Sequence, residues 1–238
     1  MRLKLTVEYD GTGFQGFAAQ PGLRTVRGEL ERALDGLYVR HESFAVAGRT
    51  DAGVHALANV VSVEVDGGPP VARAARALNA GLPPDVAIVG AEEAPAGFSA
   101  RFDARARSYR YRVWRRSERS ALEAARALWH PRPLDVPALD AAARALVGEH
   151  DFRAFTPTET QHETFTRVVE SARWNEVDEA LAVFEVTADS FLRHMVRTIV
   201  GTMLEGRDLE PLLAGRPRSD AGATAPPHGL YLTGVRYK

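Results

Sequence analysis

A carboxylate set between two glycines is the first feature of this chain that could do chemistry. Gly48-Arg49-Thr50-Asp51-Ala52-Gly53-Val54-His55 follows a short apolar run, Phe44 to Ala47, that reads as a strand. The spacing puts Arg49 and Asp51 on a loop at a strand end, where a rigid scaffold often presents functional side chains. An ionised Asp there can act as a nucleophile. An Asp beside glycines is more often simply a turn residue, and residue types alone do not raise Asp51 above that reading. A second candidate is Phe98 to Arg116, with seven Arg and one Asp, interleaved with Phe98, Phe102, Tyr109, Tyr111 and Trp114. Alternation places Tyr109, Tyr111 and Val113 on one strand face and Arg110 and Arg112 on the other. Arginines on a sheet can hold phosphates and aromatics can stack bases. Taken singly, these arginines read equally well as a solvated face. As a cluster in a chain of net charge −1 they favour a polyanion. The third candidate is Arg193, His194 and Arg197 on an apolar helix. Arg197 lies between Val196 and Ile199, and a buried guanidinium needs an anionic partner, catalytic or structural.

Other chemistries are excluded or disfavoured by the same residues. The chain has no cysteine, which removes disulfides, thiolate metal sites and cysteine nucleophiles. Its histidines are scattered, with no pair at helical ligand spacing, so no metal is assigned. Asp10-Gly11-Thr12-Gly13-Phe14-Gln15-Gly16-Phe17 is glycine-rich but has neither dinucleotide nor P-loop spacing. It reads as a turn, with Phe14 and Phe17 in the core. Of the 30 basic residues only Lys4 and Lys238 are lysines. The other cations are guanidinium groups, suited to bidentate phosphate binding. No apolar run is long enough to cross a bilayer and no signal core opens the chain, so a cytoplasmic protein is expected.

The elements that must position these residues alternate between strand and helix. Strands are expected over Leu3 to Tyr9, Phe44 to Ala47, Asn59 to Val65, Val86 to Val89, Arg107 to Arg115 and Leu230 to Tyr237. A hairpin joins Val168–Trp174 to Leu181–Thr187. Helices are expected from Thr25, as N-cap, to Tyr38, over Val71 to Ala80, over Leu139 to Val147, and from Ser190, as cap, to Glu205. The pattern gives an α+β class with mixed or antiparallel sheets. Ser117 to Pro137 lacks a clear period. The expected organisation is therefore an α+β half over 1–116 carrying Asp51, a connecting segment over 117–137, and a second α+β half over 138–238.

Five segments, in order along nearly the whole chain, resemble motifs of the tRNA pseudouridine synthases that act on the anticodon stem-loop, the TruA family. They are Tyr9 to Phe17, Gly48 to Ala56, Phe98 to Tyr111, Phe191 to Gly201 and Thr224 to Leu232. The resemblance implies a pseudouridine synthase fold of two similar halves flanked by helices, with a shared RNA-binding cleft, and a homodimer. It implies isomerisation of uridine to pseudouridine at positions 38, 39 and 40 of tRNA. Residue by residue, it makes Asp51 the catalytic carboxylate, Arg49 the basic residue before it, Tyr109 an aromatic against the target base, and Arg197 an arginine that pairs with the aspartate. Phe17 stands where many members carry Trp.

The implied reaction suits these residue types. The N1–C1′ bond breaks, the uracil turns, and C5 joins C1′. No electrons are gained or lost, so no cofactor is expected. A neighbouring guanidinium favours an ionised Asp51. The target must be flipped out at a cost of about a few kcal/mol, with Arg107, Arg110 and Arg112 as candidates to hold the RNA backbone. A non-catalytic RNA-binding or RNA-folding protein is the alternative. An N-glycosidase, a third class, would ordinarily need a second acid.

Overall fold

The computed structural model describes residues 1–160 and 162–238. In chain order its first strands and helices are β1 (Arg2–Tyr9), α1 (Val26–Asp35), β2 (Arg40–Val46), β3 (His55–Asp66), α2 (Val71–Gly81), β4 (Val86–Glu93) and β5 (Ala106–Trp114). Then come β6 (Leu128–Trp129), α3 (Val136–Ala143), β7 (Gly148–Asp151), β8 (Thr166–Glu176), β9 (Leu181–Ala188), α4 (Met195–Leu204) and β10 (Leu230–Arg236). Two compact units result: Met1–Arg105 with Tyr231–Lys238, and Ala106–Leu230. The class is α+β, as the sequence predicts.

In the first unit β1 runs antiparallel to both β3 and β4, with Leu5 opposite Val61 on one side and Ala91 on the other. The free edge of β3 is shared. β10 lies parallel to its start, Tyr231 opposite His55, and β2 lies antiparallel to its end, His41 opposite Val65. The predicted alternation holds: Leu3, Leu5, Val7 and Tyr9 are all buried. In α1, Val26, Leu30, Ala33 and Leu34 are buried at helical spacing, and the Thr25 hydroxyl accepts the Gly28 N–H at 3.2 Å. Each fully buried leucine of this stripe is worth about 1.5–3 kcal/mol. Such burial fixes the frame from which the loop between β2 and β3 projects.

The second unit is built on an antiparallel run, β5-β9-β8-β7. β6 adds two residues parallel to β5, so part of 117–137 pairs inside this unit. β9 is the best buried strand of this unit, with Ala182, Val183, Phe184, Val186 and Ala188 all buried. The Trp174 ring of β8 packs on Phe184 at 5.4 Å. Asp140 of α3 accepts the Trp174 N–H at 3.0 Å, tying helix to strand.

Two helices differ from expectation. The one expected over Leu139 to Val147 spans Val136–Ala143, capped by Asp135, and tightens into a 3-10 turn over Arg144–Leu146. The one expected from Ser190 starts at Met195. Ser190 does not cap it, because its N–H and hydroxyl both donate to the Asp189 carboxylate. His194 stands at the helix start in the left-handed region, φ 62°, and turns the preceding residues off the helix axis. That conformation costs a non-glycine residue about 1–2 kcal/mol. Among the described residues no helix is long and apolar enough to cross a membrane.

Candidate active site

Asp51 is half-buried in the loop between β2 and β3, with Arg49 exposed and Thr50 buried beside it. The glycine-rich segment after β1 grips this loop through the backbone. Phe17 N–H donates to the Thr50 carbonyl at 3.0 Å, and Gly53 N–H donates to the Phe14 carbonyl at 3.3 Å. Val54 N–H donates to the Asp51 carbonyl at 3.2 Å and closes the turn. The two segments approach too closely for side chains. A Cβ on Gly11 would stand 2.0 Å from the Val54 carbonyl oxygen, and Gly16, at φ +91°, lies against Thr50. The segment is therefore a clamp made of turns rather than a phosphate cradle. Phe14 and Phe17 are core residues, 2% and 1% exposed.

Three side chains that the sequence reading did not single out complete this clamp. His55 is buried, accepts the Gly11 N–H on Nδ1 at 3.1 Å, and stacks on Tyr231 with ring centroids 4.6 Å apart. Asn59 is fully buried and donates to the Gly48 carbonyl at 2.9 Å and to the Tyr9 hydroxyl at 3.1 Å. The Tyr9 hydroxyl lies 2.8 Å from the Thr50 hydroxyl. Burial pushes the Tyr9 hydroxyl up to about 12, against the opposing pull of those two hydrogen bonds. The signal for Asn59 was present in the sequence. It is an amide heading the apolar run Val60-Val61, where a polar residue must have buried partners.

Tyr109 and Arg197 belong to the second unit, on β5 and α4. The Tyr109 ring meets Phe191 edge-on, 4.9 Å between centroids and 78° between planes. Two residues on, Tyr111 is buried and donates its hydroxyl to the Pro226 carbonyl at 2.8 Å. Burial raises that hydroxyl far above its ordinary range, only partly offset by the charge of Arg197. Arg197 is half-buried. Its Nε donates to the Ala225 carbonyl at 2.8 Å, and its own carbonyl accepts the Ala225 N–H at 3.0 Å. The Thr202 hydroxyl accepts the Gly222 N–H at 3.0 Å. A Cβ on Gly201 would meet the Ala223 carbonyl oxygen at 1.8 Å. The strap over residues 222–226 thus lies on α4 as tightly as the Asp51 loop lies on its clamp.

The arginine-rich strand is less bare than its sequence. Arg107 donates to the Asp189 carbonyl at 2.7 Å. Arg110 pairs with Glu185 at 2.9 Å, and Arg173 meets the same carboxylate at 2.9 Å. Arg112 pairs with Glu123 at 2.9 Å, and Arg115 with Glu176 at 2.7 Å. Burial alone would raise the Glu185 carboxyl, but the hydrogen bonds from Arg110 and Arg173 more than offset this and hold it below the usual range. Folding therefore brings three carboxylates to a segment that shows a surplus of six positive charges along the chain.

The sequence model of a family described as tRNA pseudouridine synthase matches residues 5–103 and 142–238. The chain belongs to the tRNA pseudouridine synthase family. Arg49, Asp51 and Arg197 lie inside the matched stretches; Tyr109 and the arginines of β5 lie between them. Full-length relatives agree. The tRNA pseudouridine synthase A of Thermus thermophilus is 46% identical over 99% of this chain and 96% of its own length. Those of Chromobacterium violaceum and Geobacillus kaustophilus are 42% and 41% identical, each over all of this chain and over 93% and 95% of their own lengths. A chain in the structure titled "Crystal Structure of a Cbf5-Nop10-Gar1 Complex" is similar over 97% of this chain and 48% of its own, at 13% identity and TM-score 0.42. That likeness is too distant to add to the family assignment. Membership in the tRNA pseudouridine synthase family makes the chain an isomerase acting on uridine in tRNA.

Proposed function

We propose that the chain converts uridine to pseudouridine at positions 38, 39 and 40 of the tRNA anticodon stem-loop, with Asp51 as the nucleophile on a flipped-out uridine. The observation that carries this reading is the Asp51 loop. Its backbone is fixed from the Phe14–Phe17 side while the Asp51 side chain stays only half-buried. A carboxylate held rigidly but open to a substrate suits attack on the nucleoside. The balance of the reaction is internal. The N1–C1′ bond breaks, the C5–C1′ bond forms, a proton leaves C5 and one arrives at N1.

The other roles follow from the motif match. Arg49, exposed beside Asp51, holds the substrate close to the carboxylate, Tyr109 is the aromatic against the base, and Arg197 is the guanidinium of the reaction. Arg107, Arg110 and Arg112 hold the RNA backbone, weakly, because two of the three already face carboxylates. The working form is a homodimer in the cytoplasm. The test uses unmodified tRNA transcripts with uridine at one of the three positions at a time, assayed for pseudouridine. Asp51→Asn is expected to abolish product while tRNA binding persists. Substantial turnover by Asp51→Asn would overturn the nucleophile assignment, and modification of stem positions elsewhere would overturn the substrate assignment. Light scattering that shows a monomer at working concentration would remove the dimer.

A further inference from the structure

Beneath the Asp51 loop lies a closed polar relay in an otherwise apolar core. Asn59 is 0% exposed, Tyr9 3% and Thr50 7%. The orientation of the Asn59 amide is fixed by its neighbours. Its Oδ1 accepts the Val60 N–H at 2.9 Å, so the Nδ2 side must face the Gly48 carbonyl and the Tyr9 hydroxyl. Both Nδ2 protons are then used. The Tyr9 oxygen receives one of them and shares a hydrogen bond with the Thr50 hydroxyl, 2.8 Å away. Arg49 and Asp51 are the residues on either side of Thr50. The relay therefore grips the loop at Gly48 and Thr50, bracketing Arg49 and leading directly into Asp51. From the opposite side the Thr50 carbonyl is held by Phe17 N–H.

A purely apolar packing of β1 on β3 would need none of these groups. Burying a tyrosine hydroxyl, an amide and a threonine hydroxyl is costly unless they are hydrogen-bonded, and here each of the three side chains has a partner. Resting on the assignment of Asp51 as the nucleophile, we propose that Asn59, Tyr9 and Thr50 are positioning residues that set the Asp51 carboxylate in its attacking geometry through the Thr50 hydroxyl. Small displacements of a reacting group can cost about a hundredfold in rate. The relay thus acts on the chemical step rather than on tRNA affinity.

The test is a kinetic series at a temperature well below each variant's melting point, with tRNA binding measured in parallel. Tyr9→Phe and Thr50→Val each remove one end of the same hydrogen bond. Each is expected to lower kcat by roughly ten- to a hundredfold with KM for tRNA within about twofold. Thr50→Ser keeps the hydroxyl and is expected to recover most of kcat. The double variant Tyr9→Phe/Thr50→Val is expected to be no slower than the worse single one, because one bond cannot be lost twice. Wild-type kcat in folded Tyr9→Phe or Thr50→Val overturns the proposal. So does a loss that Thr50→Ser does not rescue, or a rise in KM with kcat intact. Asn59→Asp reverses the donor facing Gly48 and is read by the same rates; if it fails to fold, the Tyr9 and Thr50 variants decide. Asp51→Asn runs alongside. If it retains turnover the nucleophile assignment falls, whereas an inactive Asp51→Asn with fully active Tyr9→Phe removes only the relay.

Discussion

The loop around Asp51 and the strand β5 both drew notice for their charged residues, and the structure treats them in opposite ways. In the loop, backbone groups and buried neutral side chains hold the chain in place. In β5 and just beyond it, the charged side chains are themselves the fastening: Arg110, Arg112 and Arg115 each reach a carboxylate. A dense run of arginine along the sequence is thus a poor measure of charge offered to a ligand. A single aspartate on a loop clamped through its backbone is a better sign of chemistry than seven cations along one stretch of chain.

The contrast can be broken most severely at Gly11. An added methyl would collide with the Val54 carbonyl oxygen. Gly11→Ala is expected to lose activity almost entirely and to destabilise by about 1–3 kcal/mol, the usual range for overpacking. Turnover near wild type, with an unchanged urea midpoint, would show that the clamp is slack. Next in size is Tyr111→Phe, which leaves the Pro226 carbonyl without its hydroxyl donor. A loss of about 1 kcal/mol in denaturant unfolding is expected, with tRNA binding unaffected. Smaller still is Arg110→Gln. Because Glu185 is shared with Arg173, the expected cost is about 0.5–1 kcal/mol in stability and less than about a threefold change in RNA affinity across a salt titration. A large drop in affinity, with a shallower salt slope, would mean that Arg110 holds the RNA backbone strongly despite its pairing with Glu185.

The smallest effect concerns acid. Since Glu185 titrates below its ordinary value in the folded chain, the unfolded chain takes up its proton first as pH falls. Its contribution is complete above about 4.3, the ordinary glutamate value, and is lost as pH drops through the lower folded value. Glu185→Gln should flatten this part of the stability profile, read from urea midpoints between pH 6 and 3. An identical acid limb in both proteins would show that the two guanidiniums contribute nothing there.

Much of this was legible in advance where local pattern and tertiary packing agree. The alternation in β1, the Thr25 cap, α2 and the β8–β9 hairpin follow from residue period and turn chemistry. Asp51 stands out only through the resemblance, since a turn aspartate looks the same. The start of α4 was not legible, because an apolar stripe marks a helix face and carries no sign that His194 turns left-handed. Nor were the partners of β5. Glu185 lies 75 residues from Arg110, and only the register of β9 on β5 places them side by side. The relay under the loop was half visible, as an amide at the head of a valine-rich run. Its partners became apparent only once β1 and β3 were paired.

The parallel pairing of β10 with the start of β3 bears on the order in which the protein can be finished. Tyr231, which stacks on His55 four residues beyond Asp51, belongs to β10, synthesised long after the strand it pairs with. Residues 106–230 emerge as one uninterrupted stretch and can close their own sheet. Residues 1–105 must wait for residues 231–238 before the Asp51 loop has its full support. A chain cut after Leu230 would retain every residue proposed for the reaction and still lack the strand that completes the platform beneath Asp51.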